Sequence, residues 1–253
     1  MNFTESYKMA QAISDEFDGM MQSLSIALFE AFLQFQKDQG IFGDMIEFGV
    51  YRGKSASVIM RHLASDEMMY LVDVADYPEL DKLGKVSKQF EFLKGKSESL
   101  LQEQDFLAKI PAKVRFSHHD ASHSYVNVMS EMEAMAHKIA PKGLMVLDDY
   151  GNPSYMQVVA ASFTYLARPD SPLEVLLYSN NKAYLCRKED FDFYASFLIE
   201  DLPNRIKETG HNCYLTRTEK HPGYRGFSIA SKSRQDQPDR YGEHIYGDQY
   251  YKL

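Results

Sequence analysis

The chain changes its hydrophobic period near residue 44. Before that point Met20, Met21, Leu24, Ile26, Ala27, Phe29, Phe32 and Leu33 recur at mixed spacings of three and four, which predicts amphipathic helices ending near Gly40. From Asp44 onward short apolar runs alternate with helical stretches, the pattern of a parallel sheet with crossover helices. The predicted strands are Met45–Phe48, Met69–Val72, Phe90–Leu93, Val114–Ser117 and Leu144–Leu147. Ser55–Leu63 and Ser124–Ile139 read as helices, the second with Val128, Met129, Met132, Met135 and Ile139 along one side. Pro153–Leu166 reads as another, with Pro153 in the first turn, where a missing N–H costs little. Glu174–Tyr178 and Ala183–Cys186, joined by Ser179-Asn180-Asn181-Lys182, predict an antiparallel hairpin that closes the sheet. A helix over Phe191–Ile206 and a strand over Gly226–Ala230 follow. After Lys232 the chain is polar and carries Tyr241, Tyr246, Tyr250 and Tyr251, which suits an arm or a strap over a neighbouring surface.

These elements predict an α/β, doubly wound, Rossmann-like fold with a mostly parallel sheet and an antiparallel last strand. They are expected to form a single domain over residues 1–253: a helical cap (1–43), a core (44–187) and a C-terminal extension (188–253). Composition agrees, since 253 residues with 44% hydrophobic content can fill one large core. A net charge of −8 without a basic cluster speaks against nucleic acid as a partner. No apolar run approaches the roughly 18 residues of a membrane span, and the acidic N-terminal stretch is unlike a signal peptide, so a cytoplasmic location is expected. Cys186 and Cys213 are too few for a disulfide framework.

The loop after the first strand, Glu47-Phe48-Gly49-Val50-Tyr51-Arg52-Gly53-Lys54-Ser55, lies where doubly wound folds bind a ligand. Its spacing is neither the GxGxxG of a dinucleotide site nor the GxxxxGK[ST] of a triphosphate site. Glu47 beside Gly49 and Gly53 suits a cationic ligand such as the amino group or sulfonium of S-adenosylmethionine; the alternative is that the glycines only form a tight turn. Asp73, at the end of the second strand, stands where a ribose diol needs an acceptor. Ser97, in Gly95-Lys96-Ser97, stands where a hydroxyl or backbone amide meets an adenine edge.

Two later strands end in acids, at Asp120 and at Asp148-Asp149. If these carboxylates converge they require a counter-charge, and hard oxygen ligands favour Mg²⁺. The alternative is that Asp149 N-caps the following helix while Asp148 is an ordinary strand-end acid. His123, just before a predicted helix, is a candidate general base or a loop-fixing hydrogen-bonding group. His118 and His119 alternate faces, so at most one points toward the site, and neither is assigned as a ligand.

With these residues in place the sequence resembles the class I S-adenosylmethionine-dependent methyltransferases, most of all the macrocin-type O-methyltransferases. The resemblance covers roughly Asp44–Arg187 and rests on the glycine loop, on Asp120-Ala121-Ser122-His123-Ser124-Tyr125, and on Leu147-Asp148-Asp149-Tyr150. It implies the methyltransferase form of the fold, with Glu47, Gly49, Tyr51, Gly53, Ser55, Asp73, Ser97 and Asp120 around the cofactor. It further implies Mg²⁺ on Asp120, Asp148 and Asp149, and O-methylation of a small hydroxylated molecule or sugar, with Asp120 and His123 as the catalytic pair. Ser122-His123-Ser124 departs from the macrocin-type pattern, while catechol-type relatives carry a lysine base at the position of His123. The rival expectations are a metal-independent methyltransferase, a hydroxylase-like relative and a non-catalytic binding or partner subunit. The tyrosine-rich end suits a homodimer contact.

Overall fold

The computed structural model describes residues 2–110, 112–219 and 225–231; the tyrosines expected to form an arm lie outside the described residues. Two helices, α1 (Phe3–Ser14) and α2 (Ser23–Asp38), precede the first strand, as the apolar period predicts. Then follow β1 (Asp44–Phe48), α3 (Lys54–Met60), β2 (Met69–Asp73), α4 (Leu80–Val86), β3 (Phe90–Lys94), α5 (Ser97–Leu100), α6 (Gln104–Lys109) and β4 (Val114–His119). After them come α7 (Tyr125–Met135), β5 (Ile139–Leu147), α8 (Met156–Leu166), β6 (Leu173–Ser179), β7 (Lys182–Arg187), α9 (Phe191–Glu200), α10 (Leu202–Glu208), β8 (Cys213–Glu219) and β9 (Gly226–Ser231).

The strands form one sheet in the order β3-β2-β1-β4-β5-β7-β6-β9-β8. β3 through β5 are mutually parallel, and β7 is antiparallel to both β5 and β6. The hairpin expected to close the sheet does not close it: β9 adds in parallel beside β6, and β8 pairs antiparallel on the outside. Three further boundaries are corrected. The helix expected over 124–139 ends at Met135, and after one 3₁₀ turn Ile139 already belongs to β5, which is therefore longer than Leu144–Leu147. The stretch expected as one helix over 191–206 breaks at Asp201, with Pro203 in the first turn of α10, where it needs no N–H partner. Pro153 opens a 3₁₀ turn before α8.

Helices cover both faces, which is why β1 and β4 are buried almost throughout. On one face α1, α2, α3, α9 and α10 pack on Met45, Phe116, Val146 and Tyr184; on the other α6, α7 and α8 pack on Ile46, Phe48, Met145 and Leu147. The cap is tied to the core by a buried polar knot. Glu30 of α2 accepts from Ser6 of α1 at 2.7 Å, pairs with His62 at 2.8 Å, and pairs with Arg61 just beyond α3. At the far edge of the sheet, fully buried Arg115 makes a bidentate pair with Glu67, at 2.7 and 2.8 Å, and also donates to Gln36. Among the described residues no helix is long and apolar enough to cross a membrane.

Candidate active site

Chain connections leave β1 toward β2 on one side and β4 lies on the other, so the sheet has its switch point between β1 and β4. In such sheets the crevice for a ligand opens beyond the carboxyl ends of these strands. The glycine loop crosses that edge. Gly49 has φ +81° and its N–H continues the β1–β2 ladder by donating to Val72 O at 2.8 Å. Asp73 holds the loop from below: its Oδ2 accepts from the backbone amides of Val50 and Tyr51, both at 2.9 Å, and its Oδ1 accepts from Ala75 N at 3.2 Å. Gly53, at φ +105°, N-caps α3 against Leu83.

A cavity of about 420 Å³ opens here, walled by Gly49, Tyr51, Asp73, the Gly95–Glu98 turn and the Asp120–Ser122 segment. Ser97 lines it, yet its hydroxyl is turned toward α7, donating to Glu131 Oε1 at 2.5 Å and accepting from Asn127 Nδ2 at 2.6 Å. Contact with a ligand there falls to the backbone of this turn. Of the expected cofactor residues, Glu47, Gly53 and Ser55 do not line this cavity; Glu47 is fully buried on the cap face and pairs through Oε1 with His118 Nδ1 at 2.6 Å. Burial pushes the Glu47 carboxyl well above its ordinary range, with Ser55 pulling the other way, and pushes His118 well below. Ser55 lines a second, narrower cavity beside Asp120 and Lys182.

The acids at the ends of β4 and β5 do come together, around Asp120. His123 Nε2 lies 3.3 Å from Asp120 Oδ1 and 3.1 Å from Asp149 Oδ2, with its ring against Tyr155 at 4.3 Å between centroids. Burial pushes the Asp120 carboxyl up to about 7, with the nearby Asp148 charge adding to the effect. Burial opposes a charged His123, but hydrogen bonding to Asp120 and the charges of Asp120 and Asp149 raise it above the ordinary imidazole value. Asp148 points to the cap face, where its Oδ2 pairs with Lys182 Nζ, and despite burial this ammonium holds the carboxyl below the usual carboxylate range. Asp149, at φ +52°, accepts from Asn152 Nδ2 at 2.9 Å and Asn181 Nδ2 at 2.6 Å. It does not cap α8, whose preceding turn is capped by Asn152.

A third, wide cavity of about 690 Å³ is lined by Asp120, His123, Asp149, Tyr155 and Lys182, with the Gly19–Gln22 stretch of the α1–α2 connection as its roof. Asp120 lines all three cavities, and Gly49 and Tyr51 line the first two. A ligand in the glycine-loop cavity and one in the wide cavity would therefore meet at Asp120.

Residues 46–150, which span the glycine loop, Asp73, Asp120, His123 and both acids after β5, match the family model described as a methyltransferase domain. Over this stretch the chain is similar to a methyltransferase domain, and its fold is shared with solved methyltransferases. Among solved structures the chain is similar to the O-methyltransferase NovP, at 16% identity over 67% of this chain and 83% of that one, with a TM-score of 0.53. It is similar to CalS11, a TDP-rhamnose 3'-O-methyltransferase of calicheamicin biosynthesis, at 15% identity over 72% of this chain and 93% of that one, TM-score 0.52. TomG from Streptomyces achromogenes, an O-methyltransferase of tomaymycin synthesis seen with S-adenosylmethionine, gives 12% identity over 72% and 89%, TM-score 0.54. At these identities the likeness speaks for the fold. No curated protein matches the chain by sequence.

Two residues of this site had no part in the sequence motifs. Lys182 and Asn181 belong to the β6–β7 turn, and their neighbours identify only a hairpin. The signal present was a lysine directly before the apolar run Ala183–Cys186, a position whose side chain has to enter the interior or leave the sheet.

Proposed function

We propose that the protein is an O-methyltransferase that moves the methyl group of S-adenosylmethionine to a hydroxyl of a small hydroxylated molecule. The observation that carries this reading is the meeting of the two cavities at Asp120, with His123 on the acceptor side between Asp120 and Asp149. The residues fit the cofactor. The backbone at Gly49 has no side chain to block approach, Asp73 has lone pairs beyond those given to Val50 and Tyr51 for a ribose hydroxyl, and the Gly95–Glu98 turn offers backbone groups to an adenine.

The His123 imidazole, whose Nε2 faces the carboxylates of Asp120 and Asp149, takes the proton of the acceptor hydroxyl on its other ring nitrogen. When bound, S-adenosylmethionine would supply the methyl carbon to the acceptor oxygen and leave as its neutral thioether, and the proton would stay on the imidazole. Positive charge thus passes from sulfur to His123 within the field of the same carboxylates, so Asp120 and Asp149 stabilise the developing imidazolium.

The donor set also fits a divalent cation, because ligand atoms of Asp120, His123 and Asp149 lie within 4.8 Å of one another and the two carboxylates are hard oxygen ligands suited to Mg²⁺. When bound there, such an ion would lower the acceptor hydroxyl's pKa and help orient it. A metal-independent reaction has one observation in its favour: Lys182 already supplies a fixed cation to Asp148, and His123 already bridges Asp120 and Asp149.

Calorimetric titration of the folded protein with S-adenosylmethionine, with and without Mg²⁺, followed by methyl transfer to a panel of polyhydroxylated acceptors, tests the reading. Binding lost in Asp73→Ala and turnover lost in His123→Gln are expected. No binding by the wild type would overturn it, and turnover that survives a chelator would select the metal-independent route.

A further inference from the structure

Lys182 is the first residue of β7, after a turn in which Asn180 and Asn181 take left-handed conformations with φ of 50° and 64°. Since β7 runs antiparallel to β5, with Ala183 opposite Leu147, the strand begins at the edge where the parallel strands end. The turn therefore meets the acidic pair residue for residue. Asn181 donates to Asp149 and receives Tyr150 N on its carbonyl at 2.8 Å, while Lys182 pairs with Asp148.

The Lys182 side chain is 5% exposed, and its ammonium lies 3.3 Å from His118 Nε2 and 5.8 Å from the centre of the Phe29 ring. An ammonium only donates, so Nε2 is the acceptor and the His118 proton sits on Nδ1, directed at Glu47. Glu47, His118, Lys182 and Asp148 thus form one buried chain on the cap face, ending at the acceptor cavity. A cation so deeply buried persists because these partners surround it. Lys182 lines both the narrow and the wide cavity but not the cofactor cavity.

We propose that Lys182 is a positioning residue of the acceptor site, a built-in cation that holds Asp148 and leaves Asp120 and Asp149 as the carboxylates open to a divalent ion. The proposal deepens the O-methyltransferase reading, on which its role toward the acceptor rests. A second cation at Asp148 would stand beside the ammonium at a few ångströms, where like charges in a partly dry site repel strongly. Lys182 therefore decides which of the three acids an ion can use.

The test compares wild type, Lys182→Met and Lys182→Gln in calorimetric titrations with Mn²⁺ alone near neutral pH, and separately with S-adenosylhomocysteine without metal. Loss of the ammonium is expected to tighten Mn²⁺ binding about tenfold or more, because a repulsion is removed and Asp148 is freed. Adding Asp148→Asn to Lys182→Met should reverse the gain, and S-adenosylhomocysteine binding should stay as in wild type. Unchanged or weaker Mn²⁺ binding in variants that keep the cofactor product would overturn the proposal, as would an absence of Mn²⁺ binding in every form. Should both neutral variants fail to fold, Lys182→Arg decides: it retains the charge and is expected to bind Mn²⁺ as wild type does, and tighter binding there overturns the assignment. If the wild type itself does not bind S-adenosylhomocysteine, the cofactor reading fails, while the Mn²⁺ comparison still reports on Lys182.

Discussion

Gly49 rests directly on the backbone of Asp120: a Cβ at position 49 would lie 2.0 Å from the Asp120 carbonyl oxygen and 2.5 Å from Ala121 N. The obstacle is backbone on both sides, so no side-chain rotation relieves it, and φ +81° is itself unfavourable to an alanine. Gly49→Ala is expected to cost about 3 kcal/mol or more of stability, from the strained dihedral together with the clash. Urea unfolding would show it, and a wild-type midpoint would mean that the two strand ends have room to separate.

Asp73 joins the glycine loop to the expected ribose site. Removing its carboxylate in Asp73→Ala leaves the amides of Val50 and Tyr51 without their acceptor. Hydrogen bonds to a charged group contribute about 1.5–3 kcal/mol, so affinity for S-adenosylmethionine should fall about 10- to 100-fold. Calorimetry reads this directly, and an unchanged affinity would remove Asp73 from the cofactor site.

The base assignment has a pH signature. His123 must be neutral to accept a proton, and Asp120 and Asp149 raise its pKa above the ordinary imidazole value of 6.5. Turnover should therefore rise with pH, with its midpoint above 6.5, and should not fall again as the imidazole deprotonates further. His123→Gln should lose about 10²- to 10⁴-fold in kcat and flatten this limb. A profile unaltered by the substitution would exclude His123 as the base.

The buried Arg115–Glu67 pair supplies a stability test far from the chemistry. Burial alone would raise Glu67, but the Arg115 hydrogen bonds and the amides of Ala64 and Gly43 bring it below its ordinary 4.5. A carboxyl whose folded pKa is depressed contributes stability that is present above the unfolded pKa and is lost as pH falls through the folded one. Glu67→Ala leaves a buried guanidinium without its partner and should cost about 3–5 kcal/mol at neutral pH. That difference should shrink below about pH 4.5, where protonation weakens the pair in the wild type. A difference constant down to strong acid would show that the pair is neutralised by other means.

The parallel half of the sheet was legible because β1, β2, β3 and β4 are short apolar runs bounded by clear breaks, and the parity of each strand follows from its alternation. β8 escaped notice because Cys213, Tyr214, Leu215 and Thr216 alternate between buried and half-buried positions in a segment whose polar members read as loop. The split between α9 and α10 was hidden by continuous apolar content, with Pro203 the overlooked sign. Asp120, His123 and Asp149 stand together, and Asp73 shares a cavity with Asp120. Glu47 does not join the cofactor cavity, because β1 parity turns it to the cap face beside His118. Lys182 was out of reach of motif reading: its partner Asp148 is distant in sequence, and the antiparallel return of β7 brings the two together.

Lys54, in the first turn of α3, sends its ammonium to the carbonyls of Ser14 and Phe17, at 3.1 and 3.3 Å, where α1 ends and the roof over the acceptor cavity begins. Gly19 of that roof packs within 3.1 Å of the Lys54 stem, measured from where its Cβ would be. The same short loop-and-helix unit that walls the glycine-loop cavity therefore fastens the ceiling of the wide one. An engineer seeking new acceptors by exchanging the first two helices would have to carry a partner for this lysine in every replacement, or the ceiling would lose its hinge pin while the donor side stayed intact.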